Sequence, residues 1–266
     1  IRRPPRSTLD RSSAASDVYK RQVLMGGCVL NCVANSLAAN YYDDIWIMPN
    51  PGDAGSAIGC VLAHKKQRLE FTHAFLGADI PGEYPIEEIL EDLHEHKITA
   101  VASGRAEFGP RALGHRSILA DPRGADVKDR VNRIKQREAF RPFAPMCTYS
   151  DMKKFFTPNI EIPYMNQIVS VKPKHRTKLP AITHIDGSSR VQTLREDFNP
   201  KMYKLLKEYQ KITKYPILLN TSFNLKDQTM VRDSQEAIDT FMNCDMDYLV
   251  IDNIFISKKI LSETLT

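Results

Sequence analysis

The stretch NRIKQREAFRPFAP, residues 132–145, contains four cations, and three of them, Lys135, Arg137 and Arg141, lie within seven positions. A solvated helix face usually mixes acids with its bases, whereas this stretch runs directly into the apolar segment Phe143–Pro145. Ammonium and guanidinium groups gathered in this way are typical of a site that binds phosphate or carboxylate. The stretch therefore predicts a helix end followed by an anion-binding loop.

Helical and strand-like patterns mix on both sides of this stretch. Apolar residues recur at helical spacing in residues 86–97, 125–137, 200–213 and 233–244. Strands are predicted at ITAVASG (98–104), YPILLN (215–220) and DYLVIDNIFIS (247–257). Because these elements do not follow a strict βαβ alternation, residues 84–258 are predicted to form an α+β domain.

The preceding region, residues 23–76, carries two shorter units. The apolar runs VLMGG (23–27) and IWIM (45–48) are predicted strands, and each is followed by a glycine-containing turn and a helical pattern. Such units indicate an α/β domain, but they are too few to fill one, so this region is predicted to be the last part of a larger domain. The Pro/Gly-containing segment 77–85 is predicted to be a linker.

Residues 1–22 differ from the rest of the chain because they show no apolar periodicity and no signal-peptide pattern. They resemble translated adapter sequence and are predicted to be a non-native leader. The leader holds six Lys or Arg and two Asp, which accounts for +4 of the net charge of +5. The remaining +1 gives no reason to expect a nucleic-acid partner.

Composition places the protein among soluble globular chains, with 42% hydrophobic and 26% charged residues. No apolar run reaches the roughly 18–20 residues that span a bilayer, so no membrane association is expected. The five cysteines are odd in number and scattered, which indicates reduced thiols in a cytoplasmic protein. Residues 259–266 are predicted to be a tail.

A second basic segment, GRAEFGPRALGHRSILADPR (104–123), contributes Arg105, Arg111 and Arg116 among interspersed glycines. Glycine allows backbone amides to approach a ligand closely, and guanidinium groups bind phosphate or carboxylate bidentately. The alternative is that these arginines only pair with neighbouring acids such as Glu107. The spacing alone leaves both interpretations open.

A third segment, LLNTSFNLKDQ (218–228), follows a predicted strand with a run of hydroxyl and amide side chains that includes Asn220, Ser222 and Asn224. Strand ends of this kind commonly face ligands in proteins built from sheets and helices. A simple polar turn would have the same composition.

The combination of these segments resembles a known family. Lys-x-Arg at Lys135 and Arg137, followed by Ser-x-Asn at Ser222 and Asn224, resembles the signature of the YrdC-like fold. GRAEFGPRALGHRSIL, NRIKQREAFRPFAP and LNTSFN together resemble the C-terminal domain of the NodU/CmcH-type O-carbamoyltransferases. Upstream, GGCVLNCVAN and PNPGDAGSAIG resemble the end of that family's first domain, which has the actin/sugar-kinase-like (ASKHA) nucleotide fold. The resemblance covers about residues 23–258 and implies an ASKHA remnant at 23–76 followed by a YrdC-like α+β domain at 84–258.

The resemblance implies a two-step reaction. In the YrdC-like domain, carbamoyl phosphate and ATP, with Mg²⁺, would give carbamoyl-adenylate and release phosphate and pyrophosphate. A hydroxyl of a small-molecule or glycan acceptor would then take the carbamoyl group in the ASKHA-like domain. Lys135, Arg137 and Arg141 are the expected catalytic residues. ATP and carbamoyl phosphate are expected to bind at Arg105, Arg111, Arg116, Arg190, Asn220, Ser222 and Asn224.

The ASKHA-like side carries its own expected residues by the same resemblance. Asp53 is cast as a ligand of iron or another divalent metal, although the family's histidine ligands, from an earlier His-x-x-x-His helix, are missing from this sequence. A helix N-cap is the alternative role for Asp53. Nucleotide contacts on this side are expected at Gly26, Gly27, Asn31, Gly52 and Gly55.

Two other functions fit part of the pattern. A threonylcarbamoyl-adenylate synthase of tRNA modification shares Lys-x-Arg and Ser-x-Asn, but the ASKHA-like segment and the RPFAP context favour the carbamoyltransferase. A nucleotide-binding pseudoenzyme would keep the binding residues without the chemistry. Because much of the ASKHA cleft is missing from this sequence, the chain is expected to form carbamoyl-adenylate without passing the carbamoyl group to an alcohol.

Overall fold

The structure is a computed structural model that describes residues 24–251, 253–258 and 260. The predicted leader, 1–22, lies outside the described residues, and so does the predicted tail, 259–266, apart from residue 260. The architecture is a mixture of helices and strands, which confirms the predicted mixed α/β fold class.

The helices and strands occupy most of the described chain. The helices are α1 Cys32–Ala38, α2 Asp53–Lys65, α3 Ile86–His94, α4 Val127–Ile134, α5 Tyr149–Phe155, α6 Pro173–Arg176, α7 Pro200–Thr213 and α8 Ser234–Met242, with 3-10 turns at Gly27–Leu30 and Pro180–Ile182. The strands are β1 Phe75–Ile80, β2 Ile98–Ala102, β3 Gly104–Glu107, β4 Arg116–Ala120, β5 Ala144–Thr148, β6 Phe156–Thr157, β7 Val169–Val171, β8 Ser188–Ser189, β9 Gln192–Leu194, β10 Ile217–Ser222, β11 Tyr248–Ile251 and β12 Ile254–Ser257.

A seven-stranded sheet forms the centre of the molecule, in the order β12-β11-β2-β4-β10-β5-β9. The β11–β2 and β5–β9 pairs are parallel and the other pairs are antiparallel. Two small antiparallel sheets, β1-β3 and β6-β7-β8, lie beside it. Strand β10 is held on both sides, by β4 and by β5, and its last residue, Ser222, pairs with Ser117.

Each face of the large sheet buries its own hydrophobic cluster. Successive residues of a strand point to opposite faces, and in β2 Ala100 packs on one side and Val101 on the other. Helices α4 and α8 contribute to the cluster with Ala100, whereas α3 and α7 contribute to the cluster with Val101. The sheet is therefore sandwiched between helices, and the end of α4 comes close to the end of β10.

The predicted helices are confirmed with boundaries within a few residues. For α7 the prediction of 200–213 matches Pro200–Thr213. Its Asn199 side chain accepts a hydrogen bond from the Met202 amide, and Pro200 occupies the first helical position, which is the usual arrangement at a helix start.

Two predicted strands, 23–27 and 45–48, are wrong. Within the described residues, Gly27 begins a 3-10 turn and residues 45–48 form no ladder. The side chains of Leu24 and Trp46 are exposed. An apolar run becomes a strand only when another strand pairs with it, and none of the described strands pairs with either run.

Two further boundaries differ from the predictions. The predicted linker, 77–85, contains most of β1, which pairs with β3, so this segment is not a free connection; the domain boundary itself stays a prediction. The single strand predicted for 247–257 is a hairpin of β11 and β12, with Asn253 at a φ of 66° in its turn.

Across the described residues, every helix is too short or too polar to cross a lipid bilayer.

Candidate anion-binding site

Lys135 follows the last residue of α4 and is almost completely buried, with 6% of its surface exposed. Its Nζ donates hydrogen bonds to the Ser222 carbonyl at 2.6 Å and to Asn224 Oδ1 at 2.8 Å. The Asn224 carbonyl, at 3.0 Å, and Ser222 Oγ, at 3.2 Å, complete a set of four oxygen neighbours. No carboxylate pairs with Lys135 among the described residues, so its charge is solvated by neutral oxygens alone.

The spacing of Ser222 and Asn224 follows from the residue between them. Phe223 is fully buried in a core cluster, which leaves Ser222 and Asn224 facing the other way, toward Lys135. Ser222 Oγ also donates to Asn224 Oδ1 at 2.7 Å, and Asn224 Nδ2 donates to the Gln228 carbonyl. The Ser-x-Asn motif is thus a strand end anchored by its central aromatic residue.

Arg137 lies two residues after Lys135 and lines the same pocket. Its Nε donates to Asn132 Oδ1 at 2.7 Å, and its guanidinium carbon is 4.2 Å from the centre of the Phe143 ring. The two terminal nitrogens have no partner in the described part of the chain. Burial and the neighbouring charge of Arg141 lower the pKa of Arg137 to about 10, at which the group remains cationic at neutral pH.

Arg190 and Arg111 extend this positive region. Burial, with the charges of Arg111 and Arg137, lowers the pKa of Arg190 to about 10. Arg190 makes no hydrogen bond or ion pair with any described residue, and Arg111 donates only to the Leu30 carbonyl, at 3.4 Å. Like charges repel unless a counter-charge separates them, so Arg137, Arg190 and Arg111 form an arrangement that an anion would stabilise.

The pocket at the end of α4 has a volume of about 480 Å³. Arg141 lines it as an exposed side chain that pairs with Glu138 at 2.8 Å. The lining residues are Lys135, Gln136, Arg137, Glu138, Arg141, Ser222, Asn224, Leu225, Lys226 and Asp227. The structure therefore brings together the three expected catalytic cations and two of the expected binding residues.

Three other expected binding residues donate hydrogen bonds to other segments of the fold. Arg116 is 0% exposed, and its terminal nitrogens donate to the carbonyls of Gly104, His115, Ala78 and Arg232. Those nitrogens are bonded to backbone oxygens, which gives Arg116 a role in the fold, and its expected contact with a ligand stays a prediction. The other two, Arg105 and Asn220, do not line the pocket.

Arg105 is exposed and donates to the carbonyls of Leu76 and Gly77 in β1, at 2.8 and 3.2 Å. Asn220 is buried inside the sheet and donates to the Ala112 carbonyl and to Gln192 Oε1. Both side chains thus connect neighbouring segments, and their roles in ligand binding stay predictions.

The expected ASKHA-side residues converge on one turn region. The Gly26 amide donates to the Pro51 carbonyl at 2.7 Å, which places the Gly26–Gly27 turn beside Gly52. Asn31 caps α1, since its side chain accepts from two amides at 3.2 Å. Gly55 lies against the Asn50 backbone, where a Cβ atom would come within 1.7 Å of the carbonyl oxygen. Packing thus accounts for Gly55, and nucleotide binding by this set stays a prediction.

Asp53 is the first residue of α2, and the N-cap position belongs to Gly52, so the alternative role as N-cap is wrong. Its side chain is exposed. No group of three His, Cys, Asp or Glu side chains within the described ranges has an arrangement that could hold a metal ion. Metal binding by Asp53, with further ligands from outside the described residues, stays a prediction.

A family model described as the carbamoyltransferase C-terminus matches residues 90–258, which include every residue that lines the pocket. The chain belongs to the carbamoyltransferase family. A second model, described as the carbamoyltransferase N-terminus, matches residues 10–62. The resemblance to the carbamoyltransferases inferred from GRAEFGPRALGHRSIL, NRIKQREAFRPFAP and LNTSFN is confirmed at this level.

Named relatives of this carbamoyltransferase chain include nodulation proteins. Nodulation protein NolNO of Sinorhizobium fredii is 36% identical over 91% of this chain and 40% of its own length. Nodulation protein NolO of Bradyrhizobium diazoefficiens is also 36% identical, over 90% of this chain and 50% of its own length. The chain thus spans half or less of these two curated relatives. A crystal structure of full-length HypF, in the phosphate- and nucleotide-bound form, aligns with 63% of this chain and 25% of its own, at 18% identity and a TM-score of 0.45.

Sequence reasoning missed several residues in and around the pocket at the end of α4. Asn132 and Phe143 hold the Arg137 side chain, and Lys226 and Asp227 line the opposite wall. Asn132 and Phe143 stand inside the quoted stretch 132–145, but no local pattern shows that an amide one turn before Lys135 bonds forward to Arg137. Only the shape of the turn brings them together.

We expect the affinity for an anion near Lys135 to depend on pH. Burial first, and Arg137 second, lower the pKa of Lys135 from the ordinary 10.5 to about 7. The ammonium is therefore present below about pH 7 and is lost above it, whereas a bound anion raises the pKa. We expect ATP to bind roughly tenfold or more weakly at about pH 8.5 than at about pH 6. Calorimetry at the two pH values measures this change.

A Lys135→Met variant controls for titration of ATP itself, because it removes the lysine and leaves the nucleotide unchanged. The variant is expected to lose most of the pH dependence. An equal dependence in variant and wild type would assign the effect to the nucleotide.

Proposed function

We propose that this chain carries the carbamoyl-adenylate-forming part of an ATP-dependent O-carbamoyltransferase. The observation that supports it is that Lys135 and Arg137 line the pocket and have no carboxylate partner among the described residues. By contrast, Arg123, which does not line the pocket, pairs with Asp121 at a distance of 2.6 Å. Unpaired cations beside an open pocket fit two polyanionic reactants.

The proposed reaction proceeds in two chemical events. Water cleaves carbamoyl phosphate to carbamate and inorganic phosphate. A carbamate oxygen then attacks the α-phosphorus of ATP, so that the bond to the β-phosphate oxygen breaks and pyrophosphate leaves with the electron pair. The second event brings two anions together, and the first releases carbamate and phosphate, so fixed cations that neutralise these charges would lower the barrier.

The residues differ in what they would do. Arg137 offers the free end of a planar guanidinium, which suits two oxygens of one phosphate. Lys135 supplies a compact charge whose position is fixed by Ser222 and Asn224. Arg190 and Arg111 would bind a second anionic group, and Arg141 would have to leave Glu138 to contribute. Mg²⁺ is expected to accompany ATP and would shield its phosphate charge.

The second half of the proposed activity is transfer of the carbamoyl group to a hydroxyl of a small-molecule or glycan acceptor. We assign it to the ASKHA-like side, where the glycine turns at Gly26 and Gly52 meet. A metal ion bound by Asp53 would need further ligands from outside the described residues. The chemistry of the first half does not depend on that ion.

Pyrophosphate release tests the proposed function directly. The chain is incubated with ATP and Mg²⁺, with and without carbamoyl phosphate, and pyrophosphate is measured with a coupled assay. Release that requires carbamoyl phosphate supports the proposal. Release that requires bicarbonate and threonine instead would indicate a threonylcarbamoyl-adenylate synthase, and ATP binding without any release would indicate a nucleotide-binding module.

A further inference from the structure

Asn132 is a buried amide whose hydrogen bonds all go to the loop that carries the site cations. It lies in the last turn of α4 and is 1% exposed. Its Oδ1 accepts from Arg137 Nε at 2.7 Å, while its Nδ2 donates to the carbonyls of Ala139 and Arg141 at 3.1 and 3.0 Å. One side chain thus binds the loop at three points, on the Arg137 side chain and on two backbone carbonyls.

The backbone of Asn132 contributes a fourth contact. The Arg137 amide donates to the Asn132 carbonyl at 3.1 Å, and the Gln136 amide donates to the Arg133 carbonyl at 2.9 Å. These two bonds form a Schellman motif, in which the residue after the cap is left-handed and is usually glycine. Here that residue is Gln136, with a φ of 50°. A non-glycine residue is strained in this conformation, so the surrounding contacts must hold the turn.

Arg137 needs such support because its surroundings are positively charged. Arg141 and Arg190 are its cationic neighbours, the neighbouring Glu138 pairs with Arg141 instead, and no described carboxylate forms an ion pair with Arg137. A long side chain among like charges would rotate away into solvent when no anion is bound. The Nε bond to Asn132 and the Phe143 ring together restrict that rotation and leave the terminal nitrogens available.

We propose that Asn132 is a positioning residue that holds Arg137 in its anion-binding orientation before a ligand arrives. This proposal depends on the proposed function only for the identity of the anion. Preorganisation of this kind improves affinity because less side-chain freedom is lost on binding.

The first test is a double-mutant cycle with ATP as the probe. Asn132→Ala and Arg137→Ala are each expected to weaken ATP binding about tenfold, as measured by calorimetry. If Asn132 acts through Arg137, the double variant binds no more weakly than Arg137→Ala alone. Full additivity of the two losses would overturn the proposal.

Asn199→Ala is the matched control. Asn199 is equally buried at 1% exposure and caps α7, away from the pocket. This variant is expected to lower stability and leave ATP affinity unchanged. A similar loss of affinity in Asn199→Ala would show that destabilisation alone explains the Asn132 effect and would overturn the proposal.

A second measurement does not depend on ATP or on the chemistry. The NMR signal of the Arg137 Nε–Hε group is to be assigned by its loss in Arg137→Ala. In ligand-free wild type we expect slow hydrogen exchange, and in Asn132→Ala exchange at least tenfold faster. Fast exchange in wild type would contradict the proposal even if Asn132→Ala failed to fold. Slow exchange without carbamoyl-phosphate-dependent pyrophosphate release would support Asn132 and count against the proposed function.

Discussion

Lys135→Met is expected to reduce carbamoyl-phosphate-dependent pyrophosphate release by about 10²–10³-fold, the usual cost of removing a donor that stabilises developing charge. Methionine keeps the length and volume of the side chain but carries no charge. The four oxygens around Nζ border a pocket, so water can replace the lost hydrogen bonds. The free energy of unfolding is therefore expected to change by about 1 kcal/mol or less.

The measurement is a steady-state pyrophosphate assay together with thermal unfolding of the same samples. Lys128→Met is the matched control, because Lys128 lies on the same helix, α4, and does not line the pocket. The control is expected to retain full release. Wild-type release by Lys135→Met would show that Lys135 is only a structural contact between α4 and β10.

Arg116→Met is expected to lower the free energy of unfolding by about 3–5 kcal/mol, the usual cost of removing one partner from a buried charged network. The Arg116 guanidinium bonds four backbone carbonyls that belong to separate segments, including those of Ala78 and Arg232. Methionine would leave these buried oxygens without donors. Glu107, which accepts from three amides nearby, would also lose the compensating charge.

Chemical denaturation followed by circular dichroism measures this loss. Arg105→Met serves as control, since Arg105 is exposed and bonds only two carbonyls; its cost is expected to stay below about 1 kcal/mol. The folded fraction of Arg116→Met is expected to bind ATP with wild-type affinity. Weakened ATP binding at unchanged stability would indicate that Arg116 contacts the ligand.

Local sequence predicted the helices well because their signals are local. In α7 the cap at Asn199, the proline at the first position and the amphipathic pattern all lie within fourteen residues of one another. The strands were harder, because pairing depends on distant partners. IWIM (45–48) has a strand-like composition, yet no described strand lies beside it.

The sequence predicted the candidate site where a residue of a recognised motif also lines the pocket, as Lys135, Ser222 and Asn224 do. Arg116 could not be separated from Arg111 by sequence, since each lies two residues after a glycine in one basic segment. What distinguishes them is burial: Arg116 sits among carbonyls of three chain segments, whereas Arg111 meets one. No sequence pattern identified Asn132, because its hydrogen-bond partners depend on the left-handed turn at Gln136.

The residues that hold Lys135 lie 87 and 89 positions further along the chain, on or just after an interior strand of the large sheet. A growing polypeptide therefore presents its cations well before the ribosome has made the strand that completes their pocket. Contacts between such distant residues form only after a long loop has closed. An anion bound in this pocket would therefore stabilise only a chain that has already inserted β10, and it would offer no template to an incomplete one.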